Sequence, residues 1–216
     1  MRRRPSELAL SVGRSTLKLL TVKAFTTIWF LLWHSVLSVP AAPRLPEPHA
    51  APPEVGRDLL GARPEAWTFD TWINSDPLKL SQLKGKVVLV RWWTAPGCPY
   101  CAASADSLEK WWRTFRDEGL VVIGAYHHKS DSPLTREHVA AETKRLGFSF
   151  PVAIDRDWKT LRSWWLDKTD RGWTSVTFLI DRKGAIRFIH GGGAYIEGDP
   201  GHEALERALR EAIKQS

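Results

Sequence analysis

Cysteine is nearly absent. Cys98 and Cys101 are the two in 216 residues, and both stand in one stretch, Trp92 to Ser104, "WWTAPGCPYCAAS". Two cysteines close one bridge at most, and a Cys-x-x-Cys loop is too short to staple a chain of this size as small disulfide-rich domains are stapled. A structural zinc site needs two further Cys or His ligands at close spacing. The seven histidines include one adjacent pair, His127 and His128, but no His-x-x-x-His arrangement, so no metal site is expected. Thiol chemistry is the remaining use for the pair.

Positive charge is scarce once the start of the chain is set aside. Residues 1–23 hold six Arg or Lys against one Glu and so supply +5 of the formal net +7, leaving +2 for the rest. The overall basicity therefore gives no ground for a nucleic-acid partner. Residues 110–116, "KWWRTFR", mix basic and aromatic residues, but Leu108, Trp111, Trp112 and Phe115 recur at helical spacing. They predict an amphipathic helix with a solvated basic edge.

The basic start runs into "AFTTIWFLLWHSVLSV", sixteen residues without Asp, Glu, Lys or Arg. Residues 1–42 read as a signal peptide or an N-terminal membrane anchor, and under either reading the basic flank puts the rest of the chain outside the cytoplasm. Residues 40–64 carry seven prolines. Residues 43–61 read as a stiff, extended linker, and 62–216 as one domain large enough for a proper core. There is no internal repeat.

Within that domain strand and helix patterns alternate. "AWTFDTWIN" reads as an edge strand, "LKLSQLKGK" as a short strand, a helical turn and a glycine stop, and "VVLVRWW" as a buried strand. The cysteine loop comes next, and from Pro99 to about Asp117 the pattern is helical. "LVVIGAY" is a second buried strand, "TREHVAAETKRLG" a helix and "FPVAID" a short extended piece. "WKTLRSWWL" suits a helix, "SVTFLIDRKGAIRFIHG" a hairpin turning at Lys183-Gly184, and "HEALERALREAIKQ" a closing helix. The order predicts an α/β fold, a mixed central sheet with helices on both faces.

The run "LSQLKGKVVLVRWW", Cys-Pro-Tyr-Cys, "LVVIGAY", "FPVAID" and "TFLIDRKGAIRFIHGG" resembles the thioredoxin-fold redoxins of the TlpA and ResA kind, across roughly residues 62–214. The resemblance implies a thioredoxin-like fold and an exported or membrane-tethered thiol-disulfide oxidoreductase. Its redox centre would be the Cys98–Cys101 disulfide, with no further cofactor. Its partners would be protein thiols and disulfides, with a membrane electron donor upstream and cytochrome c maturation as one setting. A cysteine at a helix N-terminus feels the positive end of the helix dipole, which stabilises its thiolate. Cys98 is thus expected to attack and the more buried Cys101 to resolve. Pro99 suits the first helical turn, and Pro99-Tyr100 tunes the pair.

Three departures from the family pattern stand out. The usual cis-proline position, facing the cysteines, holds Ser175, with Val176 next to it. The approach "RWWTAPGC" is one residue longer than usual, with Trp93 in the place of the family's tryptophan. Trp93, Ser175 and Val176 are therefore the candidate substrate contacts. No acidic residue occupies the cysteine-bearing strand, where Arg91 and Trp92 stand instead. This leaves His127 and His128, after the neighbouring strand, as candidate proton relays.

Two rivals share the chemistry of sulfur. A peroxiredoxin-like peroxidase would carry Thr-x-x-Cys, whereas Thr94 lies four positions before Cys98. A non-enzymatic copper carrier would use the soft thiolates for Cu(I), though with cysteines more widely spaced.

Overall fold

The longest runs of β-branched and aromatic residues become the two central strands. In the computed structural model, which describes residues 55–168 and 171–215, Val87–Trp93 (β2) and Leu120–Tyr126 (β3) lie side by side in parallel, paired from Val87 opposite Leu120 to Trp93 opposite Tyr126. All seven residues of β2 are buried, as expected of strands covered on both faces. Thr71–Ile73 (β1), Val152–Ile154 (β4), Thr177–Ile180 (β5) and Ile186–His190 (β6) complete a sheet of order β1-β4-β3-β2-β5-β6. β4 runs parallel to β3, and β1 pairs antiparallel with β4. β5 pairs antiparallel with both β2 and β6. The C-terminal ends of β2, β3, β4 and β6 and the start of β5 therefore share one edge of the sheet.

Alternation along β2 feeds two cores. Leu89 and Trp93 face one side, against Leu108 and Trp111 of helix α2 (Ala105–Phe115), Val139 of α3 (Arg136–Arg145) and Leu205 and Leu209 of α5 (Pro200–Lys214). Val88, Val90 and Trp92 face the other, against Trp67, Phe69 and the Leu161 and Trp164 side chains of α4 (Lys159–Trp164). Helices thus cover both faces, and most of the tryptophans serve packing. Burying one such aromatic side chain contributes roughly 1.5–3 kcal/mol.

Two expectations need correction. The domain does not begin at 62, because residues 55–61, assigned from composition to the linker, pack on it. Gly61 N–H donates to the Ile186 carbonyl at 2.8 Å, Ile186 N–H returns a bond to Ala62 at 2.9 Å, and Arg171 bonds both carboxylate oxygens of Asp58. Proline content had masked a segment held by partners more than a hundred residues away. The helix expected over 99–117 is also interrupted. Pro99–Ala103 (α1) ends at Ser104, whose hydroxyl donates to Tyr100 O at 2.9 Å and accepts from Tyr195 N at 3.1 Å. Residues 1–42 and the linker up to residue 54 lie outside the described residues, and among the described residues no helix is long and apolar enough to cross a membrane.

Candidate active site

The residues between the end of β2 and the start of α1 carry the chemistry. Cys98 and Cys101 are joined, with their Cα atoms 5.3 Å apart. Cys98 caps α1, and its Sγ accepts the Cys101 N–H at 3.2 Å. Pro99 takes the first helical position, where its missing N–H leaves no bond unmade. Exposure separates the two sulfurs: Cys98 is half-buried and Cys101 is 2% exposed. Tyr100 is half-buried beside them, its carbonyl taken by Ser104. A thiolate formed at Cys98 would sit where a backbone N–H already points at the sulfur, an arrangement that favours the charged form.

The remaining sequence candidates divide. Trp93 is 1% exposed, in the same buried cluster as Cys101, edge-on to Tyr126 at 5.0 Å and to Phe148 at 5.3 Å between ring centroids. Its expected place as a substrate contact is corrected, because almost none of its surface reaches solvent. Val176 is fully buried and its carbonyl accepts Trp92 N–H at 2.9 Å, so its side chain is likewise withdrawn. Ser175 is half-buried at the same edge of the sheet. The Thr174–Ser175 peptide, the bond that would be cis were residue 175 a cis-proline, is trans, and the cis bond among the described residues is Ala95–Pro96.

His127 and His128 point to opposite faces, as consecutive residues leaving a strand do. His127 is fully buried, edge-on to Trp158 at 5.2 Å, and neither ring nitrogen has a partner among the described residues. Burial first, then the charges of Lys129 and Arg91, push it down to about 3. It packs on the face away from Cys101, against Trp158 of the second core, which removes it from any relay to that thiol. His128 lies on the cysteine side. Its Nδ1 is 3.0 Å from Tyr126 Oη, which donates to the Ala95 carbonyl at 2.9 Å.

Sequence reasoning gave no role to Arg91, Tyr126, His138 or Asp155. Arg91 is buried without a carboxylate partner among the described residues. It donates to the carbonyls of Ser175 and Gly193 and to Thr177 Oγ1, and it stacks on the Tyr195 ring at 4.9 Å. Burial lowers its pKa. His138 Nε2 lies 3.4 Å from Ala95 O. Asp155, at the end of β4, accepts from Trp92 Nε1 at 2.8 Å and from two backbone N–H groups opening α4. Burial raises its pKa. Arg91 carried a faint sequence signal, as a charge inside an otherwise apolar strand. His138 carried none, because only the fold brings it to Ala95.

The sequence model of the AhpC/TSA family matches residues 66–189, which contain the cysteine pair, Arg91, His127, His128 and His138. The chain belongs to the AhpC/TSA family. Among its relatives, protein DipZ of Mycobacterium tuberculosis is 30% identical over 162 residues, 74% of this chain and 22% of DipZ. The chain thus spans only about a fifth of the length of the DipZ proteins it matches. Thiol-disulfide oxidoreductase ResA of Geobacillus kaustophilus is 27% identical over 136 residues, 63% of this chain and 68% of ResA. Two solved structures show the fold to be thioredoxin-like. A thiol-disulfide isomerase from Corynebacterium glutamicum superposes with a TM-score of 0.56 at 24% identity, over 72% of this chain and 98% of that one. A thioredoxin-like protein in its oxidised form gives 0.58 at 18% identity, over 74% and 99%.

Proposed function

We propose that this protein is an extracytoplasmic thiol-disulfide oxidoreductase that exchanges disulfides with protein substrates through Cys98 and Cys101. The observation that carries the reading is the pairing of a half-exposed Cys98, whose sulfur faces a backbone N–H, with a buried Cys101 one helical turn on. In the reduced protein the Cys98 thiolate attacks one sulfur of a substrate disulfide. A Cys98–substrate disulfide forms, and the second substrate sulfur leaves as a thiolate and takes up a proton. Cys101 loses its proton, attacks Cys98 Sγ and expels the first substrate sulfur. Two electrons have moved to the substrate, and the Cys98–Cys101 disulfide remains to be reduced by an upstream donor. Similarity to the thiol-disulfide oxidoreductase ResA supports the same reading.

Export is inferred from the basic, then apolar start of the chain. The partners that fit are exported proteins with exposed disulfides, an oxidised apocytochrome c among them, and a membrane protein as electron donor. Pro99, Tyr100 and the half-buried Ser175 form the surface such a substrate would meet. The purified domain, supplied with dithiothreitol, is expected to accelerate reduction of a model protein disulfide and to leave hydrogen peroxide untouched. Peroxide turnover without disulfide reduction would transfer the protein to the peroxidase reading.

A further inference from the structure

We propose that Tyr126 and His128 position the loop that carries Cys98, through a hydrogen-bond chain that closes only when both ring nitrogens of His128 bear hydrogen. The inference rests on the reading of Cys98 as the attacking thiol and adds to it a pair of residues that never touch sulfur.

Hydrogen counting shows why. A carbonyl oxygen can only accept, so the 2.7 Å contact between His128 Nε2 and Ser132 O requires hydrogen on Nε2. Tyr126 has a single hydroxyl hydrogen, and its 2.9 Å contact with Ala95 O uses it. The 3.0 Å contact between Tyr126 Oη and His128 Nδ1 then needs hydrogen on Nδ1 as well. The complete chain, from Ser132 through His128 and Tyr126 to Ala95, belongs to the imidazolium form. In a neutral ring one link opens. With hydrogen on Nε2 alone, Tyr126 turns to Nδ1 and releases Ala95. With hydrogen on Nδ1 alone, Ser132 is released.

The far end of the chain lies close to the reacting sulfur. Ala95 is 3% exposed, and from it the exposed Pro96 and Gly97 lead directly to Cys98. Holding the Ala95 carbonyl thus fixes the root of the loop whose tip caps α1. His138 of α3 reaches the same carbonyl, and its ring lies 6.2 Å from that of His128. The other titratable or charged groups around the chain are Glu142 of α3, which acts on Tyr126 alongside a hydrogen bond with the uncharged Thr94 hydroxyl, and Lys129 and Asp131 of the loop after β3. Lys129 stacks on Trp158 at 5.8 Å, and the Trp158 indole N–H bonds the His128 carbonyl at 3.0 Å.

The test compares the rate of iodoacetamide alkylation of Cys98 between pH 5 and 9 in the reduced wild type, Tyr126→Phe, His128→Ala and His128→Asn. Circular dichroism checks that each is folded, and nitrogen-15 shifts report the two ring nitrogens of His128. The wild type should show a second inflection besides that of Cys98. Below it, Tyr126→Phe and His128→Ala should react more slowly, on the order of fivefold for one lost hydrogen bond, and converge with the wild type at pH 9. His128→Asn presents an amide N–H toward Tyr126 at every pH, so it should keep the fast rate without the second inflection. A single-titration profile in the wild type, or an inflection that survives in both Tyr126→Phe and His128→Ala, overturns the proposal. So do nitrogen shifts showing a neutral ring at pH 5. The nitrogen shifts test the chain without reference to thiol chemistry, so a Cys98 no more reactive than free cysteine would sink the proposed function and leave that arm standing.

Discussion

The Arg91 guanidinium donates through Nη2 to the Gly193 carbonyl at 2.7 Å, across 102 residues of chain. Its other amino group bonds Ser175 O and Thr177 Oγ1. One buried cation, with no anion beside it among the described residues, thereby ties the central strand to the two loops that flank the cysteine edge of the sheet.

Removing that cation should loosen both loops. Arg91→Met keeps much of the side-chain volume but strands two buried carbonyls, so a loss of about 2–4 kcal/mol is expected in urea unfolding, at roughly 1–3 kcal/mol for each unsatisfied group. Arg91→Lys should recover only part of this, because an ammonium cannot span three acceptors as a planar fork does. Stability equal to wild type in both variants would remove Arg91 from this role.

Acid should unfold the protein through two buried histidines. His127 is held down to about 3 and His190 to about 4, in both cases chiefly by burial. The folded state therefore binds fewer protons than the unfolded chain, in which histidine titrates near 6.5. The stability they contribute is full above about pH 6.5 and is lost as pH falls toward those lower values. For His127 the loss is on the order of 5 kcal/mol once pH lies below both values. His127→Phe, which keeps a ring against Trp158, should flatten the acid limb of a stability–pH curve. An unchanged slope between pH 6 and 4 would contradict this account.

The packed segment ahead of residue 62 should matter to stability. A chain beginning at residue 63 loses the Asp58–Arg171 pair and the backbone bonds joining Gly61 and Ala62 to Ile186. Its melting temperature should fall several degrees below that of a chain beginning at 55, given that about 1 kcal/mol shifts a domain of this size by roughly 2–4 °C. Equal melting temperatures would return the boundary to 62.

Where side-chain pattern alone dictates structure, the sequence was readable. Val87–Trp93 and Leu120–Tyr126 announce themselves as strands because β-branched and aromatic runs suit a sheet covered on both faces. The cysteine pair was legible because it stands between such a strand and a helix opening with proline. Features that depend on distant partners were not. Ser104 breaks the helix because Tyr195 bonds it from 91 residues away. His127 and His128 look alike in sequence, yet one packs against Trp158 and the other faces Tyr126. Trp93 matches a family position but is covered from above, and no local pattern reports what lies over a ring.

The central claim, that Cys98 attacks and Cys101 resolves, is tested most directly by trapping the intermediate. Cys101→Ser retains the attacking thiol and lacks the resolving one, so it should accumulate dithiothreitol-sensitive adducts with its natural substrates, visible on a non-reducing gel. Cys98→Ser should form none and should be inactive, because a serine hydroxyl is barely ionised at neutral pH. Adducts trapped by Cys98→Ser instead, or full disulfide-reducing activity in both single variants, would contradict the account.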